Sequence, residues 1–172
     1  TTLWVNAVYI IPGTGNFHCG SCLRDAALVR EMRRLGHDVL CVPLYLPLVL
    51  EENDLTDAPI FFGGVNVYLQ QKFSLFRRTP RWFDRILDQP GLLRRLARGD
   101  QMTNTHELGE LTISMLQGEE GRQVKEVRRL AAWLDVQGRP DVLCVSNALL
   151  LGIGTALKRK LNVPLVCTLQ GE

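Results

Sequence analysis

The N-terminal part of the chain alternates apolar and amphipathic segments in the order strand, loop, helix, strand. Residues 3–11 form an apolar run rich in β-branched and aromatic side chains, which is typical of a buried parallel strand. A helical pattern follows over 21–35, and Gly36 occupies the position where glycine commonly ends a helix. Residues 38–42 form the next apolar run. This order predicts a right-handed βαβ unit.

The first predicted helix is amphipathic, and its apolar side chains should face the sheet. Five of them share one side of the helical wheel: Cys22, Leu28, Val29, Met32 and Leu35. Asp25 falls on the inward side one turn into the helix, and its expected role is to stabilise the positive amino end.

The last third of the chain returns to the same alternation. Helical spacing extends over 105–134, but Gly118 and Gly121 interrupt it and predict a bend or two helices. A strand, a helix and a further strand follow, over 141–145, 148–161 and 164–169. We therefore predict an α/β fold, a Rossmann-like three-layer domain with a mostly parallel sheet.

The middle of the chain has a weaker pattern. Residues 44–64 are irregular with a short strand at 60–62, and 65–69 alternate at the period of a strand. Segment 72–98 interleaves eight basic residues with apolar ones and predicts two amphipathic helices. Solvated basic faces are the favoured interpretation, and a surface for an anionic acceptor or an anionic membrane is the alternative.

Composition narrows the class of protein. With 172 residues, 46% hydrophobic and 22% charged, the chain suits one domain spanning 1–172. A net charge of +2 does not favour nucleic acid as a partner. The longest apolar run, 39–50, contains two prolines and cannot span a bilayer. No signal peptide is visible and the five cysteines are an odd number, so we expect a cytoplasmic protein with reduced thiols.

The loop between the first strand and the first helix is a candidate ligand site. It runs over 12–22 at the carboxyl end of a parallel strand, where ligands bind in open α/β sheets. The amides at the start of the helix favour an anion there. The glycine spacing matches neither a dinucleotide fingerprint nor a P-loop. On this evidence alone, a turn that merely reverses the chain is an equal alternative.

Two other groups of side chains could carry chemistry. Cys19 and Cys22 form a Cys-x-x-Cys at a helix start, a spacing that supports dithiol chemistry or, with His18, metal binding. The chain has no second such pair, so we expect no structural metal site. Among the three histidines, His18 alone lies in the ligand-side loop, whereas His37 and His106 suit structural roles.

Three motifs, in order, resemble one known family. Cys19-Gly20 precedes a helix that ends in Leu-Gly-His-Asp-Val at 35–39, a Pro-Asp-Val strand occupies 140–142, and a Val-Pro-x-Val-x-Thr run occupies 163–168. The chain thereby resembles the N-terminal domain of family-four glycosyltransferases, in which two Rossmann-like domains face each other (the glycosyltransferase B fold). The family often has histidine where this chain has Ser146-Asn147 and Gln170.

The resemblance implies a function in carbohydrate biosynthesis. A sugar would pass from a nucleotide-sugar to a sugar or lipid acceptor with retention of configuration, without a metal ligand or a cofactor beyond the nucleotide-diphosphate sugar. The N-terminal domain would hold the acceptor, and a C-terminal domain that is absent here would carry most nucleotide contacts. We expect this 172-residue piece alone to have no turnover, and a Glu-x7-Glu pattern in the following domain would support the class.

The resemblance also assigns roles to particular positions. Three glycines would let the backbone approach the donor phosphate closely: Gly13, Gly15 and Gly20. The remaining binding candidates are polar side chains of the loop and of the strand ends: Asn16, His18, Ser146, Asn147, Gln170 and Glu172. His18 and Asn147 are the catalytic candidates.

Overall fold

The computed structural model describes residues 4–13, 20–45, 61 and 105–169. Several sequence-based expectations lie outside these ranges. They concern the strand at 65–69, the helices of 72–98, and six residues: Gly15, Asn16, His18, Cys19, Gln170 and Glu172.

Four parallel strands form the centre of the described fold. They are β1 (Asn6–Ile11), β2 (Asp38–Pro43), β3 (Val142–Val145) and β4 (Leu165–Cys167), in the spatial order β2-β1-β3-β4. Tyr9 of β1 pairs with Cys41 on one side and Cys144 on the other. The predicted α/β class with a parallel sheet is confirmed.

Four α-helices accompany these strands in the described ranges. They are α1 (Gly20–Arg34), α2 (Thr105–Gln117), α3 (Val124–Gln137) and α4 (Leu151–Leu161). Short 3₁₀ turns at Gly118–Glu120 and Ala148–Leu150 precede α3 and α4. The predicted break near Gly118 and Gly121 is therefore confirmed.

The strand side chains point alternately into two cores on opposite faces of the sheet. Ala7, Tyr9 and Ile11 pack with the buried side chains of α1. Val8 and Ile10 pack on the other face, in the larger core to which α3 and α4 contribute. Strands are added on both sides of β1, so right-handed crossovers place helices on both faces of the sheet. The described part of the molecule therefore has three layers.

The predicted buried side of α1 is correct for Cys22, Val29 and the partly buried Met32, and it is wrong for Leu28 and Leu35. Cys22, Asp25, Ala26 and Val29 are buried, whereas Leu28 and Leu35 are 43% and 55% exposed. The inward position of Asp25 was predicted correctly. The error at Leu28 and Leu35 arises because hydrophobicity alone does not indicate that the polar Asp25 belongs to the buried stripe.

The strand predictions need three smaller corrections. β1 begins at Asn6, its first register partner being Asp38, and the preceding Trp4 is 63% exposed. β4 spans Leu165–Cys167 instead of 164–169. Phe61 lies in a bend and not in a strand, yet it is buried against Trp133 of α3, with ring centroids 5.2 Å apart.

The end of α1 was predicted correctly, and hydrogen bonds explain it. Gly36 has a φ of 92°, and the His37 amide donates to the Met32 carbonyl at 3.1 Å. The Gly36 amide donates to the Arg33 carbonyl at 3.0 Å. This pair of bonds around a left-handed residue is a Schellman motif, which favours glycine at that position. β2 begins two residues later, in register with β1.

Candidate functional site

The strand order creates a topological switch point between β1 and β3. From β1 the chain crosses to β2 on one side of the sheet, and it later enters β3 on the other side. The helices that follow β1 and β3, α1 and α4, lie on opposite faces. Connections that diverge in this way leave a crevice at the carboxyl ends of the two strands, where open α/β sheets bind ligands.

Backbone hydrogen bonds hold three segments together at this edge. The Ser146 amide donates to the Ile10 carbonyl at 3.0 Å, and the Tyr45 amide donates to the Pro12 carbonyl at 3.0 Å. Gly13 follows with a φ of 88°, a conformation that favours glycine. The predicted site residues Gly13 and Ser146 therefore lie on the same edge of the sheet.

Ser146 and Asn147 link β3 to α4. Ser146 is buried, with 1% of its surface exposed. Asn147 has extended backbone and precedes the Ala148–Leu150 turn without capping it through its side chain. The Oδ1 atom of Asn147 is buried and accepts no hydrogen bond from any residue in the described ranges. A hydrogen-bond acceptor is thus held beside the switch point.

The amino end of α1 lies at the same edge, because the helix returns from the carboxyl end of β1 to the start of β2. Gly20 is its first residue and is exposed, and a Cβ atom there would meet no atom of the described residues within 4 Å. The first turn contains no acidic side chain. None of the described residues in this first turn therefore offsets the positive end of the helix dipole. Close packing against the described residues therefore does not explain the glycine at this position.

A buried polar cluster joins β1 to α1, and the sequence analysis did not assemble it. Asp25 is 0% exposed, and its Oδ1 accepts hydrogen bonds from the Tyr9 hydroxyl at 3.3 Å and from Arg24 at 2.5 and 3.1 Å. Burial raises the pKa of Tyr9, and its interaction with the Thr168 side chain lowers it in part. Asp25 raises the pKa of the Arg24 guanidinium.

One sequence signal could have pointed to this cluster. Asp25 is a carboxylate on the buried side of an amphipathic helix, and such a group needs a partner. Tyr9 lies 16 residues earlier, and Thr168 is far along the chain. No local pattern relates such distant positions.

The cysteines of the α1 face are poorly placed for thiolate chemistry. Cys22 is fully buried, and burial raises the pKa of Cys41 to about 12 and also that of Cys144. Reactive thiolates need partial exposure and a lowered pKa. Within the described ranges, no group of three or more His, Cys, Asp or Glu side chains could hold a metal. Cys19 and His18 are outside those ranges, so the dithiol and metal alternative stays a prediction.

A shallow surface depression of about 260 Å³ lies elsewhere. Its lining comes from α3 and α4: Arg128, Ala131, Ala132, Asp135, Lys160 and Leu161. The later turns of these helices lead into the amino ends of β3 and β4, so the depression lies away from the switch point. Its mixed charges select no ligand, and we assign it no role.

The described fold defines an α/β protein with a Rossmann-like parallel sheet and a topological switch point at the carboxyl ends of β1 and β3. None of the described helices is long and apolar enough to cross a bilayer. Comparisons with protein-family models, with curated proteins and with solved structures find no match to this chain. The glycosyltransferase resemblance therefore rests on the motifs of the sequence.

Proposed function

We propose that the chain is the acceptor-binding, N-terminal part of a retaining glycosyltransferase of the glycosyltransferase B type. The supporting observation is the switch point, at which Gly13, Ser146–Asn147 and the amino end of α1 share one edge of a parallel sheet. Motifs at both ends of the chain resemble those of family-four enzymes. A C-terminal nucleotide-sugar domain would close the crevice from the opposite side.

In this proposal, backbone amides at the carboxyl-end edge of the sheet stabilise the leaving group of the donor. Negative charge grows on the nucleoside diphosphate as the bond between sugar and phosphate breaks. The Gly13 amide and the amides at the start of α1 would act as fixed dipoles, so they would oppose that charge without having to reorganise. Their attraction is stronger in the transition state than in the ground state, and it therefore accelerates the step. No metal or cofactor enters this account.

Ser146 and Asn147 would orient the acceptor. The buried Asn147 Oδ1 can accept a hydrogen bond from an acceptor hydroxyl and hold it near the anomeric carbon. Residues 14–19 and 170–172, outside the described ranges, would contribute His18, Asn16, Gln170 and Glu172. Binding of a lipid acceptor or of an anionic membrane surface by segment 72–98 stays a prediction. A cytoplasmic location also stays a prediction.

A donor panel tests the proposal. A longer protein that contains this chain is incubated with UDP-, GDP- and ADP-sugars together with sugar and lipid acceptors, and release of nucleoside diphosphate is measured. We expect turnover with one donor, and none from the 172-residue chain alone. Asn147→Ala should lower kcat/KM by about 10²-fold, a magnitude typical of a lost transition-state contact. Gln137→Ala, at the exposed end of α3, is the control.

Two outcomes would contradict the proposal. Absence of diphosphate release with every donor would reject transferase activity. Full turnover by the 172-residue chain would reject the division into two domains.

A further inference from the structure

The Tyr9–Asp25 cluster contains an unused hydrogen-bond acceptor. Asp25 Oδ1 accepts hydrogen bonds from the Tyr9 hydroxyl and from two Arg24 nitrogen atoms, whereas Asp25 Oδ2 is buried and has no hydrogen-bond partner among the described residues. Nearly all buried polar atoms in native proteins are hydrogen-bonded, so an exception needs an explanation. A ligand donor that is absent from the structure would satisfy this oxygen.

The cluster lies next to a part of the sheet where described side chains are partly exposed. On the α1 face, the described part of α1 packs over β1 and β2. On the same face of β3 and β4, Cys144 is half-buried and Val166 is 52% exposed in the described structure. Thr168 follows at the carboxyl end of β4, and Arg24 has 44% of its side chain exposed. A small molecule lying over β3 and β4 would thus reach the cluster from the side.

The charges of the cluster select the ligand class. Arg24 and Asp25 form an ion pair, so their net charge is zero and neither an anion nor a cation is favoured. The cluster offers a carboxylate acceptor, guanidinium donors and the hydroxyls of Tyr9 and Thr168. Groups that both donate and accept hydrogen bonds complement this set, and hydroxyls are the simplest of them. A hydroxyl that donates to a carboxylate forms one of the stronger hydrogen bonds.

We propose that Asp25, Tyr9, Arg24 and Thr168 form a subsite for a neutral polyhydroxylated acceptor, in which Asp25 Oδ2 accepts a hydrogen bond from one hydroxyl. The inference rests on the proposed function, because it places the acceptor on the α1 side of the switch point. It extends that function by naming a hexose-like polyol as the chemical class and Asp25 as the binding residue.

The three tyrosines of the chain provide a direct assay. The 172-residue chain is labelled with ¹³C-tyrosine, and Tyr9→Phe assigns the Tyr9 resonance. D-glucose, D-mannose, D-galactose and glycerol are titrated separately. We expect at least one hexose to shift the Tyr9 resonance in a saturable manner, while the Tyr45 resonance, on the other face of the sheet, stays in place. Deoxy analogues of that hexose then identify the hydroxyl.

Two variants test the role of Asp25. Asp25→Asn should weaken binding of the hexose about tenfold or more, because a hydrogen bond to a charged group is lost. Thr168→Val removes one hydroxyl of the subsite but keeps Asp25, and it should weaken binding severalfold. This variant replaces Asp25→Asn if Asp25→Asn does not fold. The exposed Asp135→Asn is the matched control and should leave the affinity unchanged.

The outcomes separate this inference from the proposed function. No Tyr9 shift with any of the four compounds would overturn the subsite, even if the longer protein transfers sugar. Unchanged affinity in a folded Asp25→Asn variant, or in Thr168→Val if it takes that variant's place, would overturn it as well. Saturable, Asp25-dependent binding without any transferase activity would support the subsite and reject the enzyme.

Discussion

At the scale of single residues, glycines in two helices have different surroundings. A Cβ on Gly152, in α4, would approach the backbone oxygens of Met115 and Leu116 more closely than real Cβ atoms do. A Cβ on Gly109, in α2, would meet no atom within 4 Å in the part of the chain that the structure describes. Gly152 is thus needed where α4 passes the end of α2, whereas Gly109 leaves its helix less stable than alanine would.

The two glycines should respond in opposite ways to alanine. Gly152→Ala should lower the free energy of unfolding by about 1–3 kcal/mol, because the backbones must separate to admit a methyl group. Gly109→Ala should raise it by about 0.5–1 kcal/mol, because alanine restricts the unfolded chain. Urea denaturation of both variants measures the difference. Equal and small effects would mean that α2 and α4 are not in contact at Gly152.

At the scale of elements, α1 shows why helix faces are hard to predict. Its buried residues, Cys22, Asp25, Ala26 and Val29, recur at the spacing of one helical stripe. At about 100° per residue, Leu28 lies roughly 110° from the centre of that stripe. The stripe includes a polar residue because Tyr9 and Arg24 satisfy Asp25, and that contact is not evident from hydrophobicity.

Alanine substitutions at neighbouring positions of α1 should therefore have very different effects on the free energy of unfolding. Val29→Ala should lower the free energy of unfolding by about 2 kcal/mol, because it leaves a cavity against β1. Leu28→Ala should change it by less than about 0.5 kcal/mol, as expected for an exposed position. Chemical denaturation of the two variants provides the measurement. A large loss in Leu28→Ala would show that other residues cover this side of α1.

At the scale of the whole molecule, the sheet buries ionisable groups in neutral form. Cys41 of β2 packs in the α1-side core, and burial raises its pKa from 9.0 to about 12. The unfolded chain would lose this proton near pH 9, whereas the folded chain keeps it. Above pH 9 the unfolded state therefore binds fewer protons, and stability falls as pH rises.

This linkage predicts alkaline sensitivity. Between pH 9 and 10 the free energy of unfolding should decrease, with Cys41 contributing a slope that approaches about 1.4 kcal/mol per pH unit. Cys41→Ala should be less stable at pH 7 but should show a shallower decline. Urea titrations at several pH values compare the slopes. Parallel slopes in the two proteins would refute the assignment to Cys41.

Much of the fold could be predicted because its signals are local. The order of the described elements and the Gly36 helix end agree with the sequence pattern, since periodicity and turn chemistry act within a few residues. Part of the candidate site was predictable for the same reason, because Gly13 and Ser146–Asn147 directly follow recognisable strands. The family resemblance and the roles it assigns stay predictions.

The amino-acid sequence by itself determined which segments become strands and helices and where polar residues follow the strands. Only the tertiary structure decided that β3 lies beside β1, which side of α1 is buried, and that Tyr9, Asp25 and Thr168 meet. The physical reason is the distance along the chain over which each interaction acts. Hydrogen bonding and steric preferences of the backbone act between neighbouring residues. Strand order and the partners of a buried carboxylate depend on contacts between residues that folding brings together from distant positions.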